Sequence, residues 1–160
     1  MSASAAPAIV IAAETPDQPE IGAFFAASEA YMGALYPADS NHFSDLAALV
    51  QSNVLFLVAR NAGQAVGCAA LVCAEDGSAE IKRMWVEPYA RRLHVGRQLL
   101  QALIAAARAA GVGVVRLETG NAQPAALALY RRVGFRERGP FGGYASDPLS
   151  VFMELPLHPQ

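Results

Sequence analysis

Apolar positions along this chain follow two rhythms, and the switches between them mark its elements. Residues 8–13 are a short apolar run bounded by polar sequence, the pattern of a strand. Residues 17–34 read as a helix that ends before Pro37. The stretch 36–43 (YPADSNHF) reads as a polar loop and 43–51 as a short helix. Runs at 54–60 (VLFLVAR), 65–74 (AVGCAALVCA) and 79–87 (AEIKRMWVE) read as strands. Asn61-Ala62-Gly63 joins the first two as a hairpin, and EDGS at 75–78 turns into the third. These three strands predict an antiparallel meander.

The rhythm then changes. Val95, Leu99, Leu100, Leu103, Ile104 and Ala107 recur at three- and four-residue spacing, which predicts an amphipathic helix over 95–110 stopped by Gly111. Residues 112–119 return to strand character. Pro124 opens a second helix over 123–133, and 135–138 and 150–155 are the last strands, joined by a glycine-rich loop. A strand–helix–strand order implies a right-handed crossover with parallel pairing. The fold class is therefore α/β (mixed α+β), with a mixed, mostly antiparallel sheet flanked by helices.

Length and composition narrow the class. The chain has 160 residues, 54% hydrophobic and 16% charged, which suits a single globular domain over 1–160. Its longest apolar run, 65–74, is half the roughly 20 residues a membrane-crossing helix requires, so no membrane partner is expected. The first residues lack the basic segment of a secretory signal. Cys68 and Cys73, at odd spacing in one strand, point to opposite faces and cannot pair. Reduced core thiols predict a cytoplasmic protein, and two thiols without clustered histidines predict no metal site.

Net charge is −2, but its distribution is uneven. Eleven of the twelve basic residues lie between Lys82 and Arg138 beside only three acids, so that segment carries +8 and the first 81 residues carry −8. The asymmetry points to an anionic partner for the second half. No aromatic-interleaved basic stretch supports nucleic acid. Arg91, Arg92 and Arg97 crowd the start of the helix over 95–110, although a helix N-terminus is already partly positive. Free N–H groups ringed by arginines favour a bound polyanion such as a pyrophosphate. Gly96 would let the backbone approach it closely.

These residues carry a resemblance. Val86-x-Pro88-x-x-Arg91, followed by Gly96-Arg97-x-Leu99-Leu100, resembles the acetyl-CoA motif of the GCN5-related N-acetyltransferases, the GNAT superfamily. Ala126-Leu-Ala-Leu129-Tyr130, followed by Gly134-Phe135, resembles that family's second signature, in family order and spacing. The element order fits from 8 to 155. The sequence PFGGYASDPLSVFMEL resembles a bacterial subgroup of mostly unassigned substrates. There are two departures: His94 stands where the pyrophosphate loop usually has its first glycine, and Gln123 stands where the second signature usually has asparagine. Asn121 could cap that helix instead.

The resemblance implies acetyl transfer from acetyl-CoA to an amine of a small molecule. Alternatives are a protein or peptide acetyltransferase and a non-catalytic CoA-binding sensor, and a homodimer is left open. The cofactor would lie along Met84, Trp85 and Val86, over Arg91, Arg92, Leu93, His94, Val95, Gly96, Arg97 and Gln98, and beside Gln123 and Tyr130. Tyr130 corresponds to the family's general acid toward the departing thiolate; on spacing alone it is a core residue sharing a face with Leu127. Glu80 corresponds to the general base of the histone-modifying members, and water serves in many relatives. On spacing alone Glu80 pairs with Lys82 on a strand face shared with Met84 and Val86. Tyr36, Ser40, His42, Arg83 and Tyr144 are the acceptor-binding candidates, four of them on loops.

Overall fold

The computed structural model describes residues 8–157. The elements are strands β1 (Ile9–Ala13), β2 (Val54–Asn61), β3 (Gln64–Cys73), β4 (Ser78–Val86), β5 (Val114–Gly120), β6 (Arg136–Arg138) and β7 (Ser150–Pro156), with helices α1 (Pro19–Leu35), α2 (Leu46–Leu49), α3 (Val95–Ala109) and α4 (Pro124–Val133). The strands form one sheet in the order β1-β2-β3-β4-β5-β7-β6. Only β4 and β5 pair in parallel; the other neighbours are antiparallel. The mixed sheet, the meander and the crossover through α3 match the sequence pattern. The β2–β3 hairpin turns through Ala62 (φ 51°) and Gly63 (φ 86°), the left-handed pair that a two-residue loop needs.

Two cores cover the two faces of the sheet. On one face α3 buries Val95, Leu99, Leu100 and Leu103 completely, together with Leu127 and Tyr130 of α4. On the other, Ile21 and Phe24 of α1 and Leu49 of α2 close over Phe56, Val58, Cys68 and Trp85. Cys68 lies in the second core and Cys73 packs against the first, as their odd spacing requires; both are free thiols. The short helix expected over 43–51 shrinks to Leu46–Leu49, capped by the Asp45 carboxylate accepting from the Ala48 N–H. Asn121 does not cap α4; its amide reaches the Pro148 carbonyl, and Gln123 is the N-cap without a side-chain bond.

One strand departs from simple alternation. The register between β3 and β4 shifts between Cys68 and Ala70, and Arg83 sits there at φ 55°. This bulge inserts one extra residue and reverses the side-chain parity beyond it. Glu80 and Lys82 therefore do not share a face with Met84 and Val86, which pack toward α3 with Ala79 and Ile81. Trp85 goes instead to the core under α1.

A close approach joins α1 to the far end of β5. Buried Tyr36 lies against Gly120, and its hydroxyl accepts the Ala122 N–H at 3.0 Å. A Cβ at 120 would collide with the Tyr36 ring and hydroxyl. Gly120→Ala should therefore cost about 1–3 kcal/mol of stability. Adding Tyr36→Ala should return much of that particular loss, and thermal unfolding of the single and double variants reads the coupling.

Candidate active site

Strands β4 and β5 pair only through Ser78–Val114, Ala79–Val115 and Glu80–Arg116. Past these residues the bulged β4 and the straight β5 part, leaving a fork with Lys82, Met84 and Val86 on one prong and Glu118 on the other. The Glu87 N–H bonds to Val66 O on β3. Backbone groups alternate along a strand, so those of Val86 and Met84 face the fork and those of Trp85 face β3. Val86 O duly accepts from Arg91 Nε at 3.3 Å rather than from a strand.

The fork opens onto the start of α3. A 3-10 turn over Pro88–Leu93 leads into His94, at φ 59° and ψ 30° in the left-handed region. Histidine tolerates this conformation better than bulkier residues, so it can stand where a glycine is usual. The first helical bond of α3 runs from Gln98 N–H to His94 O, which leaves the N–H groups of Val95, Gly96 and Arg97 without backbone acceptors among the described residues. No acidic side chain lies in that first turn, and His94 offers no side-chain cap. Arg91, Arg92, Leu93, His94 and Arg97 are exposed around it. An uncapped, cation-ringed helix start fits a diphosphate far better than it fits water.

Several of the expected binding residues also make contacts within the protein. A Cβ on Gly96 would meet Leu129 at 3.2 Å, with Met84 and Val86 just beyond, so this glycine lets α3 sit close to α4 and β4. The Gln98 amide donates to Leu93 O (3.2 Å) and His94 O (3.4 Å), and thus closes the turn itself. Gln123 donates to Thr119 Oγ1 at 3.2 Å. The Trp85 side chain is buried away from the fork, with the Arg91 guanidinium 5.5 Å from its ring.

A cavity of about 120 Å³ lies in the fork. Tyr130, Met84, Glu80, Lys82, Glu118 and Tyr144 reach it, and so do Tyr36, Ser40 and His42. The Tyr130 hydroxyl is 3.7 Å from Met84 Sδ, and burial pushes its pKa up to about 12. Tyr144 donates to Glu80 Oε2 at 2.5 Å and accepts from Lys82 Nζ at 2.9 Å, while Lys82 and Glu80 stand 3.6 Å apart. The Glu80–Lys82 pair expected from spacing is present, and Glu80 Oε2 also accepts a hydrogen bond from Tyr144. Ser40 donates to Asp147 at 2.7 Å, and the His42 ring meets Tyr144 edge-on at 5.1 Å. These contacts clasp the 36–45 and 139–149 loops over the cavity.

Arg83 lines the cavity, and its guanidinium is also held from the other side. Its side chain is 6% exposed, ion-paired to Glu29 at 2.7 Å, bonded to Ser44 O at 2.9 Å, and placed between the rings of Phe25 and Phe43. It ties β4 to α1 and to the loop before α2. Neither family signature includes Glu118 or Lys82. The Glu118 signal in the sequence is faint: it is one polar residue in the alternating strand VVRLETG, indistinguishable from Arg116 beside it.

Comparisons with known proteins identify the family. Residues 52–137 match the family model described as an acetyltransferase (GNAT) domain. The chain is 48% identical over 152 residues to an IAA acetyltransferase of Azospirillum brasilense, covering 94% of this chain and 99% of the relative. The crystal structure of a candidate acyl-CoA N-acyltransferase from Klebsiella pneumoniae subsp. pneumoniae superposes with a TM-score of 0.83 at 41% identity, over 94% of this chain and 98% of that one. A PaiA N-acetyltransferase from Thermoplasma acidophilum, solved in complex with coenzyme A, shares the fold with a TM-score of 0.70 at 16% identity, over 94% and 99% of the two chains. With the fork, the free helix start and these relatives together, the chain belongs to the GNAT acetyltransferase family and uses acetyl-CoA as its acyl donor.

Proposed function

We propose that the chain is an N-acetyltransferase that moves the acetyl group of acetyl-CoA onto the amine of a small molecule by direct attack on the thioester. One observation carries this reading: the open β4 edge at Met84 and the side chain of Tyr130 meet at one cavity, while the uncapped start of α3 packs its Gly96 against Met84 and Val86 of that same edge. Acetyl-CoA supplies an activated acetyl thioester. The amides of Val95, Gly96 and Arg97, with Arg91, Arg92 and Arg97 around them, hold its diphosphate. His94 holds the left-handed turn that aims those amides outward. The Met84 and Val86 backbone groups receive the extended arm as an added strand would be received. The same unpaired N–H groups are the donors that stabilise charge on the acetyl oxygen.

Tyr130 hydrogen-bonds the departing sulfur. With its pKa at about 12 against a thiol near 8.5, full proton transfer would be uphill by about 5 kcal/mol. The phenol therefore stays protonated and works as a donor rather than as a strong acid. Two loops clasped to each other and to β4 border the cavity, which favours a small acceptor over a peptide lying in an open groove. The IAA of the Azospirillum relative's name belongs in any acceptor panel, beside simple amines.

Turnover of acetyl-CoA with a small-molecule panel, followed by thiol release, tests the reading. Selective acetylation of protein N-termini or lysines with no small acceptor would replace it. Tyr130→Phe should lower kcat by roughly 10–100-fold with acetyl-CoA affinity unchanged. Because burial raises the Tyr130 pKa, the wild-type rate should show no alkaline loss from this group below about pH 11. Replacing Arg91 and Arg97 together with alanine should weaken acetyl-CoA binding by roughly 10–100-fold at low salt and by less at high salt, as read by calorimetry.

A further inference from the structure

Consecutive side chains of a strand point to opposite faces. The β4 bulge breaks that rule once. Ala79 and Ile81 pack toward α3, so Glu80 and Lys82 lie on the opposite face, that of α1 and the two loops. Arg83, the inserted residue, turns to the same face, where its guanidinium meets Glu29, the Ser44 carbonyl and the rings of Phe25 and Phe43. Two cations in succession, Lys82 and Arg83, thus stand on one side of the sheet. Both line the cavity that Tyr130 and Met84 reach.

Both cations keep donors to spare. Arg83 gives Nε to Ser44 O at 2.9 Å and Nη2 to Glu29 at 2.7 Å, while its buried Nη1 has no partner among the described residues. Nε and Nη2 form one edge of the guanidinium plane, so Nη1 points away from the edge that Ser44 and Glu29 occupy. A buried guanidinium donor left unpaired is costly, and in a native fold it calls for a partner. The flanking rings, 4.4 Å and 4.9 Å from the guanidinium carbon, fix its plane before anything binds. Lys82 gives one hydrogen bond, to Tyr144 at 2.9 Å, and lies 3.6 Å from Glu80, whereas an ammonium carries three donors.

We infer that Arg83, with Lys82 beside it, receives a carboxylate of the acceptor, so that the substrate is an amine that also carries a carboxylate, an amino acid in its simplest form. The inference rests on the amine-acetylating reading above and names the substrate class that reading leaves open. Arginine meets a carboxylate through charge-assisted hydrogen bonds in the plane of its fork. Glu80 and Glu118 line the same cavity, with His42 beside them, so the wall carries both signs of charge and matches a zwitterion. A plain amine would leave the Arg83 Nη1 donors unanswered, and a plain carboxylate would offer no nitrogen to acetylate. Glu29 already pairs with Arg83 from outside the cavity, so the acceptor's main contribution is a hydrogen-bond acceptor for Nη1.

The test pairs each amino acid with an amine that lacks its carboxylate: β-alanine with propylamine, L-alanine with isopropylamine, and L-phenylalanine with phenethylamine. Thiol release is compared at equal concentration of neutral amine. In wild type at least one amino acid should exceed its partner in kcat/KM by ~10-fold or more. Arg83→Met should bring that ratio toward one, and Arg83→Lys should keep part of it. Lys82→Met, which leaves the buried guanidinium in place, should also reduce the ratio and serves if the Arg83 variants do not fold. No pair favouring the amino acid, or a ratio unchanged in the variants, overturns the inference, and acetylation of the plain amines would leave the amine-transfer reading standing. A second readout needs no turnover: with ¹⁵N-labelled arginine in the protein and CoA bound, an amino acid should shift the Arg83 side-chain resonances and its matched amine should not. No shift with any of the three amino acids also overturns the inference. If wild type acetylates none of the compounds while an amino acid still shifts Arg83, the amine-transfer reading fails and the carboxylate site survives.

Discussion

Strands β4 and β5 hold together for three residues and then separate, and the rest of the site follows from that separation. A parallel pair that continued would have satisfied the β4 edge with β5 and left no opening. The bulge at Arg83 prevents this by adding a residue to β4, which bends the strand and reverses the side-chain parity. Met84 and Val86 are thereby placed on the α3 side, while their backbone groups face the gap. An unpaired sheet edge is normally a liability, and here it is confined to a narrow cleft where only an extended ligand can reach it.

Arg83 also keeps the bulge in place. Its left-handed backbone carries strain for a non-glycine residue. Its guanidinium bonds to Glu29 and to the Ser44 carbonyl between two aromatic rings. The residue that shapes the cofactor edge on one side of the sheet is thus anchored to α1 and the acceptor loop on the other. The Tyr36–Gly120 contact makes a second tie between α1 and the β5–α4 connection. Both ties lie beside the cavity, so the geometry of the acceptor pocket and the packing of α1 are set together.

Electrostatics divide the site into two parts. At the α3 start, free amides and exposed arginines make a field suited to an anion, with no acidic residue in the first turn to compete. In the fork, Glu80, Lys82 and Tyr144 form a closed trio, and Glu118 stands apart. The +8 and −8 halves of the chain foreshadow the first part but not the second, because the fork brings together residues from both halves.

What the chain could announce by itself was whatever depends on local spacing. The apolar stripe of α3, the hairpin at Ala62–Gly63, the order of strands and the two signatures around Arg91 and Tyr130 all sit within short windows of sequence, and they carry the fold and the acyl donor. Residues whose roles depend on parity or on distant partners could not be read that way. One inserted residue at Arg83 moved Met84 and Val86 off the face of Glu80, which period-two counting cannot detect. Arg83 itself proved a tie to α1, because Glu29 is 54 residues away. Glu118 and Arg116 look alike in an alternating strand. Only the tertiary parting of β4 and β5 leaves Glu118 in a cavity with no ion-pair partner among the described residues, since that outcome is decided by where two other strands and two loops end in space.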